Sequence, residues 1–195
     1  MGGTFNPVHI GHLVCAEEAA SQFGLKQVIF VPTGLHPWSK PTASEAGAEL
    51  RLRMTEIATG SNPRFTVSRH ELDRDEPSYT VDTIRAFREK MPDAELYFIT
   101  GADAVLQILQ WKDPGELLGM STLIAATRPG YPLDRLSDEL DGFLSHDRVI
   151  IMEIPAIGVS SSLIRQRLGR GMSVRYLVPD GVREFIEQEE LYRQA

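Results

Sequence analysis

The sequence predicts an α/β fold in which a doubly wound, mainly parallel β-sheet carries helices on both faces. Short apolar runs, typical of strands buried on both faces, alternate with segments whose apolar residues recur every three or four positions. Such alternation indicates parallel strands joined by helical crossovers. The length of 195 residues fits one domain, 1–195, and 42% hydrophobic residues can fill its core.

The strands and helices follow from these two periodicities. The predicted strands are 27–34, 64–72 (which alternates and is expected to be half exposed), 95–101, 122–130 and 148–155. The predicted helices are 48–60, 79–91, 102–111, 133–144, 160–171 and 180–192, together with a first helix that ends near Gly24. In the helix at 48–60, Leu50, Met54 and Ile57 are expected to share the apolar face. Because ligands bind beyond the carboxyl ends of parallel strands, site residues are expected to follow strands.

Composition excludes several classes of function. A formal net charge of -7 argues against non-specific nucleic-acid binding, which requires a basic face. No run approaches the roughly 20 apolar residues that span a bilayer, so we expect neither a nucleic-acid nor a membrane partner. Cys15 is the one cysteine, which precludes a disulfide within the chain and makes the cytoplasm the expected location.

The stretch GGTFNPVHIGH at 2–12 is the densest candidate motif. Asn6 fits an N-cap and Pro7 a first helical position, which would place His9 and His12 on one face of the first helical turns. Free N–H groups at a helix start attract anions, and imidazoles can donate to phosphate oxygens. We therefore predict a phosphate cradle, rather than two surface histidines beside a turn.

Other readings of this stretch are less consistent with its spacing. It lacks the lysine of a P-loop and the GxGxxG pattern of dinucleotide-binding folds. The HExxH spacing of zinc enzymes is missing, and no metal ligands are predicted. Gly2, Gly3 and Gly11 would allow a ligand to approach the backbone closely.

A second cluster, GVSSSLIRQRL at 158–168, follows the last predicted strand. Serine hydroxyls and N–H groups at a helix start bind phosphate, and Arg165 adds a fork of donors. Taken alone, the cluster fits a plain helix cap with exposed arginines. Together with the histidine motif, it predicts the far wall of a triphosphate site.

These residues resemble a known family. GTFNPVHIGH and SSSLIR resemble the two signatures of the nucleotidyltransferase superfamily with a T/HxGH motif. PSYTVDT (77–83), ITGADA (99–104), the tryptophan of LQWKD (109–113) and PDGVREFI (179–186) resemble the bacterial nicotinate-nucleotide adenylyltransferases. The resemblance covers nearly the whole chain. It implies a Rossmann-like fold and the reaction of ATP with nicotinate mononucleotide to give deamido-NAD and pyrophosphate, by in-line attack without an enzyme nucleophile.

The resemblance also implies roles on the ATP side of the site. His9 and His12 would contact ATP phosphates, with His12 favouring the transition state, while Ser160, Ser161 and Arg165 hold the β- and γ-phosphates. Gly2, Gly3, Gly11 and Gly101 would also bind ATP, and Asp103 would take ribose hydroxyls. Lys40, on the loop at 36–47, would close over ATP unless it is a plain solvated lysine. Mg²⁺ would be carried by the ATP phosphates, because no carboxylate cage is evident.

On the mononucleotide side, the resemblance assigns five residues. Thr4 and Phe5 would line the loop against its phosphate and ribose. Trp111 would stack on the pyridine ring, although a core tryptophan is the simpler alternative. Thr80 and Thr83 begin a helix whose N–H groups would receive the nicotinate carboxylate, although Thr80 also fits a plain cap.

Three departures from the family pattern matter. Asn6 stands where an aspartate is frequent, and Ser162 where a threonine is frequent. The phosphate loop begins at Gly2, which leaves no residues for the central strand that the family places before it. We therefore expect a truncated first strand, an open slot in the sheet and, as a hypothesis, a few apolar residues upstream in the native protein.

Two other functions stay open. One is adenylyl transfer to nicotinamide mononucleotide or to phosphopantetheine, although the 77–83 and tryptophan segments argue against phosphopantetheine. The other is a nucleotide-sensing module without turnover, which the intact motifs disfavour. The sequence does not predict the oligomeric state.

Overall fold

The structure is a computed structural model that describes residues 1–35, 46–105, 107–127 and 148–193. Its strands are β1 (Gly2–Gly3), β2 (Val28–Pro32), β3 (Phe65–Val67), β4 (Tyr97–Gly101), β5 (Thr122–Thr127) and β6 (Val149–Glu153). Its helices are α1 (Ile10–Gln22), α2 (Ala48–Thr59), α3 (Thr80–Lys90), α4 (Ala102–Val105), α5 (Pro114–Met120), α6 (Ser161–Gly169) and α7 (Asp180–Gln188), with a 3₁₀ turn at Ile108–Gln110.

All strand pairs among the described residues are parallel. The hydrogen-bonded orders are β1-β2-β3 and β4-β5-β6, and β1 also contacts β4. In space the strands therefore run 3-2-1-4-5-6, the order of a doubly wound dinucleotide-type fold. This arrangement brings the carboxyl ends of β1 and β4 side by side at the centre.

Side chains of alternate strand residues pack into two separate apolar layers, one on each face of the sheet. Ile99, Ile124 and Met152 belong to the large core that also contains buried residues of α1, α2, α6 and α7. Phe98 and Leu123 point into the smaller clusters formed with α4 and α5. Because successive strand residues face opposite sides, helices cover both faces of the sheet, as predicted.

The first strand is short but present, which corrects the expectation that no residues form it. Gly2 pairs with Val31 and Gly3 with Pro32. A cavity of about 1100 Å³ runs beside this strand between β2 and β4, from Leu25 at their amino ends to the carboxyl edge. The cavity continues into the candidate site, where it is lined by Thr4, Thr80 and Trp111.

Several boundaries differ from prediction. α1 begins at Ile10 with His9 as its N-cap, so Asn6 and Pro7 lie in the preceding loop. The segment at 64–72 leaves the sheet after Val67, because Ser68 is the last residue that bonds to β2 and a turn follows. The predicted helix at 102–111 corresponds to a helix at Ala102–Val105 and a 3₁₀ turn at Ile108–Gln110. The predicted helices at 160–171 and 180–192 end earlier, at Gly169 and Gln188. The predicted helix at 133–144 lies outside the described residues.

Two further features were not predicted. α5 begins at Pro114, a good first helical residue, and buries Leu117 and Leu118. In α2 the buried face is centred on Arg51, Met54, Thr55 and Ala58, so Leu50 and Ile57 flank the buried stripe. With Arg51 buried, this helix is rotated relative to the expected orientation. Arg51 is buried because it bonds to main-chain carbonyls of the candidate site.

Candidate active site

Four strand ends supply the candidate site. Loop 4–9 follows β1, residues 33–35 follow β2, α4 follows β4, and a short segment leads from β6 into α6. Since the strands are parallel, these connections meet at one edge of the sheet. Both histidine and serine–arginine motifs are therefore brought to the same place.

The two histidines stack on each other. His9 is the extended N-cap of α1 and only His12 lies within the helix, yet the ring centroids are 3.7 Å apart. The backbone N–H of His9 donates to Nδ1 of His12 at 3.1 Å, which leaves Nε2 of a neutral His12 as a hydrogen-bond donor. Burial, and secondarily the nearby His9, lowers the pKa of His12 to about 3. His12 is therefore a neutral donor at physiological pH.

The ring of Phe5 packs against the ring of His12. Its backbone is left-handed, with φ at 48°, and its side chain is 2% exposed. Its ring packs edge-on against the His12 ring, with centroids 5.1 Å apart, and at a tilt against the Phe30 ring, with centroids 5.6 Å apart. The ring therefore lies in the core, and any contact of Phe5 with a substrate would use its backbone. Thr4, in contrast, is exposed and lines the cavity.

Two glycines permit the close packing of this loop. A Cβ on Gly3 would lie 2.9 Å from the Phe5 ring, and one on Gly11 would lie 3.1 Å from the His9 ring and 3.2 Å from Val159. Gly2 has more room, with Phe98 at 3.3 Å. Gly3 thus allows close packing within the loop, and Gly11 allows the start of α1 to pack closely against His9 and Val159.

The serine–arginine motif docks on the same loop. Ser161 donates its hydroxyl to the carbonyl of Pro7 at 2.8 Å, and Nη1 of Arg165 donates to the carbonyl of Asn6 at 2.7 Å. Ser160 caps α6 by accepting from the N–H of Leu163 at 3.2 Å. The structure brings the two predicted phosphate-binding motifs together, and one edge of the Arg165 guanidinium is already used to hold them.

The side chain of Asn6 joins distant segments. Its Oδ1 accepts from the Ala46 N–H at 3.1 Å and from the Tyr192 hydroxyl at 2.7 Å. Both are acceptor functions, which an aspartate at this position would also provide. The amide at position 6 therefore keeps the contacts of this loop.

The other end of the cavity is formed by α3 and the segment around Trp111. Trp111 packs edge-on against Phe98 with centroids 5.9 Å apart and lines the cavity, as do Thr80 and Thr83. The N-cap residue of α3, Tyr79, makes no capping hydrogen bond with its side chain, so that residue leaves the N–H groups of Thr80 and Val81 uncapped. The Ser78 hydroxyl is buried beside them, and no hydrogen-bond partner for it is found in the described part of the chain.

The remaining predicted site residues that the structure describes are exposed. Gly101 and Asp103 are exposed at the carboxyl end of β4, and a Cβ on Gly101 would meet nothing within 4 Å. Lys40 lies outside the described residues.

Sequence reasoning did not find four residues of this site: Gly34, Arg51, Glu71 and Lys112. Arg51 and Glu71 are buried, at 7% and 8% exposure. Lys112 lies 4.8 Å from the Tyr79 ring centroid and pairs with Asp82 at 3.0 Å. Charged residues in amphipathic segments are typical of solvent-facing positions, so no local signal marked the two that are buried.

No group of three or more histidine, cysteine or acidic side chains among the described residues could hold a metal ion. Within the same residues, no helix is long and apolar enough to cross a membrane.

Comparisons with known proteins agree with this arrangement. The model of the cytidylyltransferase-like family matches residues 1–167. A probable nicotinate-nucleotide adenylyltransferase of Kineococcus radiotolerans is 52% identical over 98% of this chain and 89% of its own length. That of Streptomyces coelicolor is 50% identical over 99% of both.

A solved structure shares the fold. The nicotinic acid mononucleotide adenylyltransferase of Plasmodium falciparum, complexed with NaAD, superimposes with a TM-score of 0.77 over 98% of this chain and 94% of that one, at 18% identity. The chain therefore belongs to the cytidylyltransferase-like family and, within it, to the nicotinate-nucleotide adenylyltransferases.

Proposed function

We propose that the protein transfers the adenylyl group of ATP to nicotinate mononucleotide, giving deamido-NAD and pyrophosphate in NAD biosynthesis. The observation that carries the proposal is a single site with two unlike ends. One end has the stacked histidines and α6 docked on the same loop, and the other has an uncapped helix start beside an aromatic wall. In a dinucleotide such as deamido-NAD, the phosphates would lie at the histidines and α6, and the pyridine ring with its carboxylate would lie at the helix start.

On the ATP side, the chain positions phosphates and stabilises charge. Neutral His12 donates Nε2–H to a phosphate oxygen, with His9 beside it. Ser160, Ser161 and Arg165 take the β- and γ-phosphates. Ser161 does so through its backbone N–H and Arg165 through its remaining N–H groups, because the Ser161 hydroxyl and Nη1 of Arg165 are donated to the loop. The glycine backbone at Gly2, Gly3 and Gly11 lies close to the nucleotide. The phosphate of the mononucleotide attacks the α-phosphorus in line, and pyrophosphate leaves.

Mg²⁺ is part of this proposal as a companion of ATP. The donor set near the histidines consists of neutral and cationic groups, which suit phosphate oxygens and not a divalent cation. The ion would therefore be held by the phosphates and by water, and it would offset their charge. Lys40 would add a further cation, while Gly101 and Asp103, exposed beside the edge, would take the ATP ribose.

On the mononucleotide side, Thr4 and the backbone of Phe5 would contact phosphate and ribose, and Trp111 would stack on the pyridine ring. The N–H groups at Thr80 and the next residue, together with the Ser78 hydroxyl, would receive the carboxylate. A carboxylate makes stronger hydrogen bonds to such donors than an amide does. This end of the site therefore favours the acid over the amide. The use of a single cysteine supports a cytoplasmic location.

The test is pyrophosphate release from ATP, Mg²⁺ and either nicotinate or nicotinamide mononucleotide. We expect turnover with the acid and kcat/KM at least about tenfold lower with the amide, the value of one charge-assisted hydrogen bond. A His12→Asn variant sets the background. Equal rates with both mononucleotides would reject the acid preference. ATP binding without pyrophosphate release from either would favour a nucleotide-sensing module.

A further inference from the structure

One peptide unit beneath the site is held from both sides by buried charged residues. Nη2 of Arg51 donates to the carbonyl of Thr33 at 2.8 Å, and the N–H of Gly34 donates to Oε2 of Glu71 at 3.4 Å. That carbonyl and that N–H belong to the same peptide bond. The Thr33–Gly34 peptide therefore lies between a guanidinium and a carboxyl group.

Each charged residue also reaches a second element of the site. Nη1 of Arg51 donates to the carbonyl of Thr4, in the loop after β1, at 2.8 Å. Oε1 of Glu71 accepts from the hydroxyl of Thr83, in the first turn of α3, at 2.7 Å. A continuous chain of contacts thus links the predicted phosphate loop to the helix start at the pyridine end.

The backbone at Gly34 is also held by close contact with a neighbouring segment of main chain. A Cβ there would lie 2.1 Å from the carbonyl oxygen of Glu71, so the two main chains are in contact. Leu35 pairs with Pro77, and the N–H of Ser78 donates to the carbonyl of Leu35 at 2.8 Å. The turn after β2 is therefore attached directly to the segment that begins α3.

Burying the Arg51 guanidinium and the Glu71 carboxyl group costs free energy unless hydrogen bonds within the protein replace those lost to water. Isolated buried charges destabilise a fold, whereas the Arg51 guanidinium has two of its five N–H donors bonded to the carbonyls of Thr4 and Thr33. Burial raises the pKa of Glu71, and hydrogen bonds from Thr83 and Gly34 and the charge of Arg74 partly offset it. Core packing alone would be served as well by apolar residues.

We propose that Arg51 and Glu71 are positioning residues for the mononucleotide, which clamp the Thr33–Gly34 peptide and so fix the spacing between the loop after β1 and the start of α3. This inference rests on the proposed function, because those two elements bind the phosphate and the carboxylate of one molecule. A fixed spacing selects a rigid ligand that reaches both.

Steady-state kinetics with each substrate varied separately test the clamp. Arg51→Lys keeps the charge but cannot reach both carbonyls, and Glu71→Ala removes both acceptors. We expect each to raise KM for nicotinate mononucleotide about tenfold, and KM for ATP less than about threefold. Glu71→Gln retains an acceptor oxygen for the Gly34 N–H, and its NH2 group can donate to the Thr83 hydroxyl, which then accepts instead of donating. This variant is therefore expected to restore KM for nicotinate mononucleotide to within about threefold of the wild type.

The double variant Arg51→Lys/Glu71→Ala separates one clamp from two independent contacts. Independent effects would raise KM for nicotinate mononucleotide roughly hundredfold in the double variant. If both residues act on the same peptide, the increase is much smaller than that. Arg53→Lys and Glu76→Gln are matched controls, because these side chains are 62% and 82% exposed on the same two segments. Multiplicative effects, equal changes in both KM values, or lower thermal stability with unchanged KM would overturn the proposal.

A readout without turnover keeps the clamp apart from the proposed function. Amide hydrogen exchange at Gly34 should accelerate in Glu71→Ala and return toward the wild-type rate in Glu71→Gln. If the wild-type protein fails to use nicotinate mononucleotide but shows this pattern, the function is wrong and the clamp stands. Unchanged exchange at Gly34 in Glu71→Ala would reject the clamp itself.

Discussion

The two ends of the candidate site are built in different ways. The phosphate end is formed by short motifs whose members lie within a few residues of each other, with His9 stacked on His12 and α6 docked through Ser161 and Arg165. The pyridine end is assembled from segments far apart in sequence, which meet at the Thr33–Gly34 peptide. The first end is proposed to bind phosphates through groups that neighbour each other in sequence, whereas the second depends on contacts between distant segments.

The largest effect is expected at the pyridine end, from Gly34→Ala. The new Cβ would lie 2.1 Å from the Glu71 carbonyl oxygen, and no side-chain rotation relieves a main-chain contact. We expect a loss of about 4 kcal/mol in the free energy of unfolding, measured by urea denaturation. Gly119→Ala is the control, since its Cβ would meet nothing within 4 Å and lies in helix α5. Equal stability of the two variants would show that the two segments are not in contact.

The next effect belongs to the phosphate end. His12→Asn keeps a polar side chain but displaces the donor that Nε2 provides, so transition-state charge loses a hydrogen bond. We expect kcat/KM to fall about 10²–10³-fold, with thermal stability changed much less. The measurement is pyrophosphate release beside a thermal melt of the same samples. A loss of activity smaller than about tenfold would remove His12 from the chemistry.

This contrast explains what the sequence could predict. The fold followed from apolar runs such as 95–101 and 122–130, because a strand buried on both faces has little choice of residue. The motifs at 2–12 and 158–168 were recognisable because each is local. Arg51 was not, since its burial makes sense only beside the carbonyls of Thr4 and Thr33, which folding brings to it.

The buried state of His12 predicts a dependence of stability on pH, which over one pH unit is a smaller effect than the two above. Its pKa of about 3 in the folded, ligand-free protein lies below the ordinary value of 6.5. Between these values the unfolded chain binds more protons, so acidification destabilises the fold by up to about 1.4 kcal/mol per pH unit. This contribution is fully present above pH 6.5 and is lost as pH falls toward 3. The difference between wild type and His12→Asn, from urea denaturation at each pH, isolates it, and a constant difference would contradict a buried neutral His12.

The smallest effect tests whether the phosphate loop depends on distant segments as the pyridine end does. Tyr192→Phe removes the 2.7 Å hydrogen bond to Asn6 while keeping the ring, which packs against the core. We expect a loss of about 1 kcal/mol, measured by thermal or urea unfolding. Tyr176→Phe is the control, because that side chain is 80% exposed. If Tyr192→Phe also lowers kcat/KM by more than about tenfold, the histidine loop is positioned from the end of the chain, and the contrast between the two ends would be weaker than the local motifs indicate.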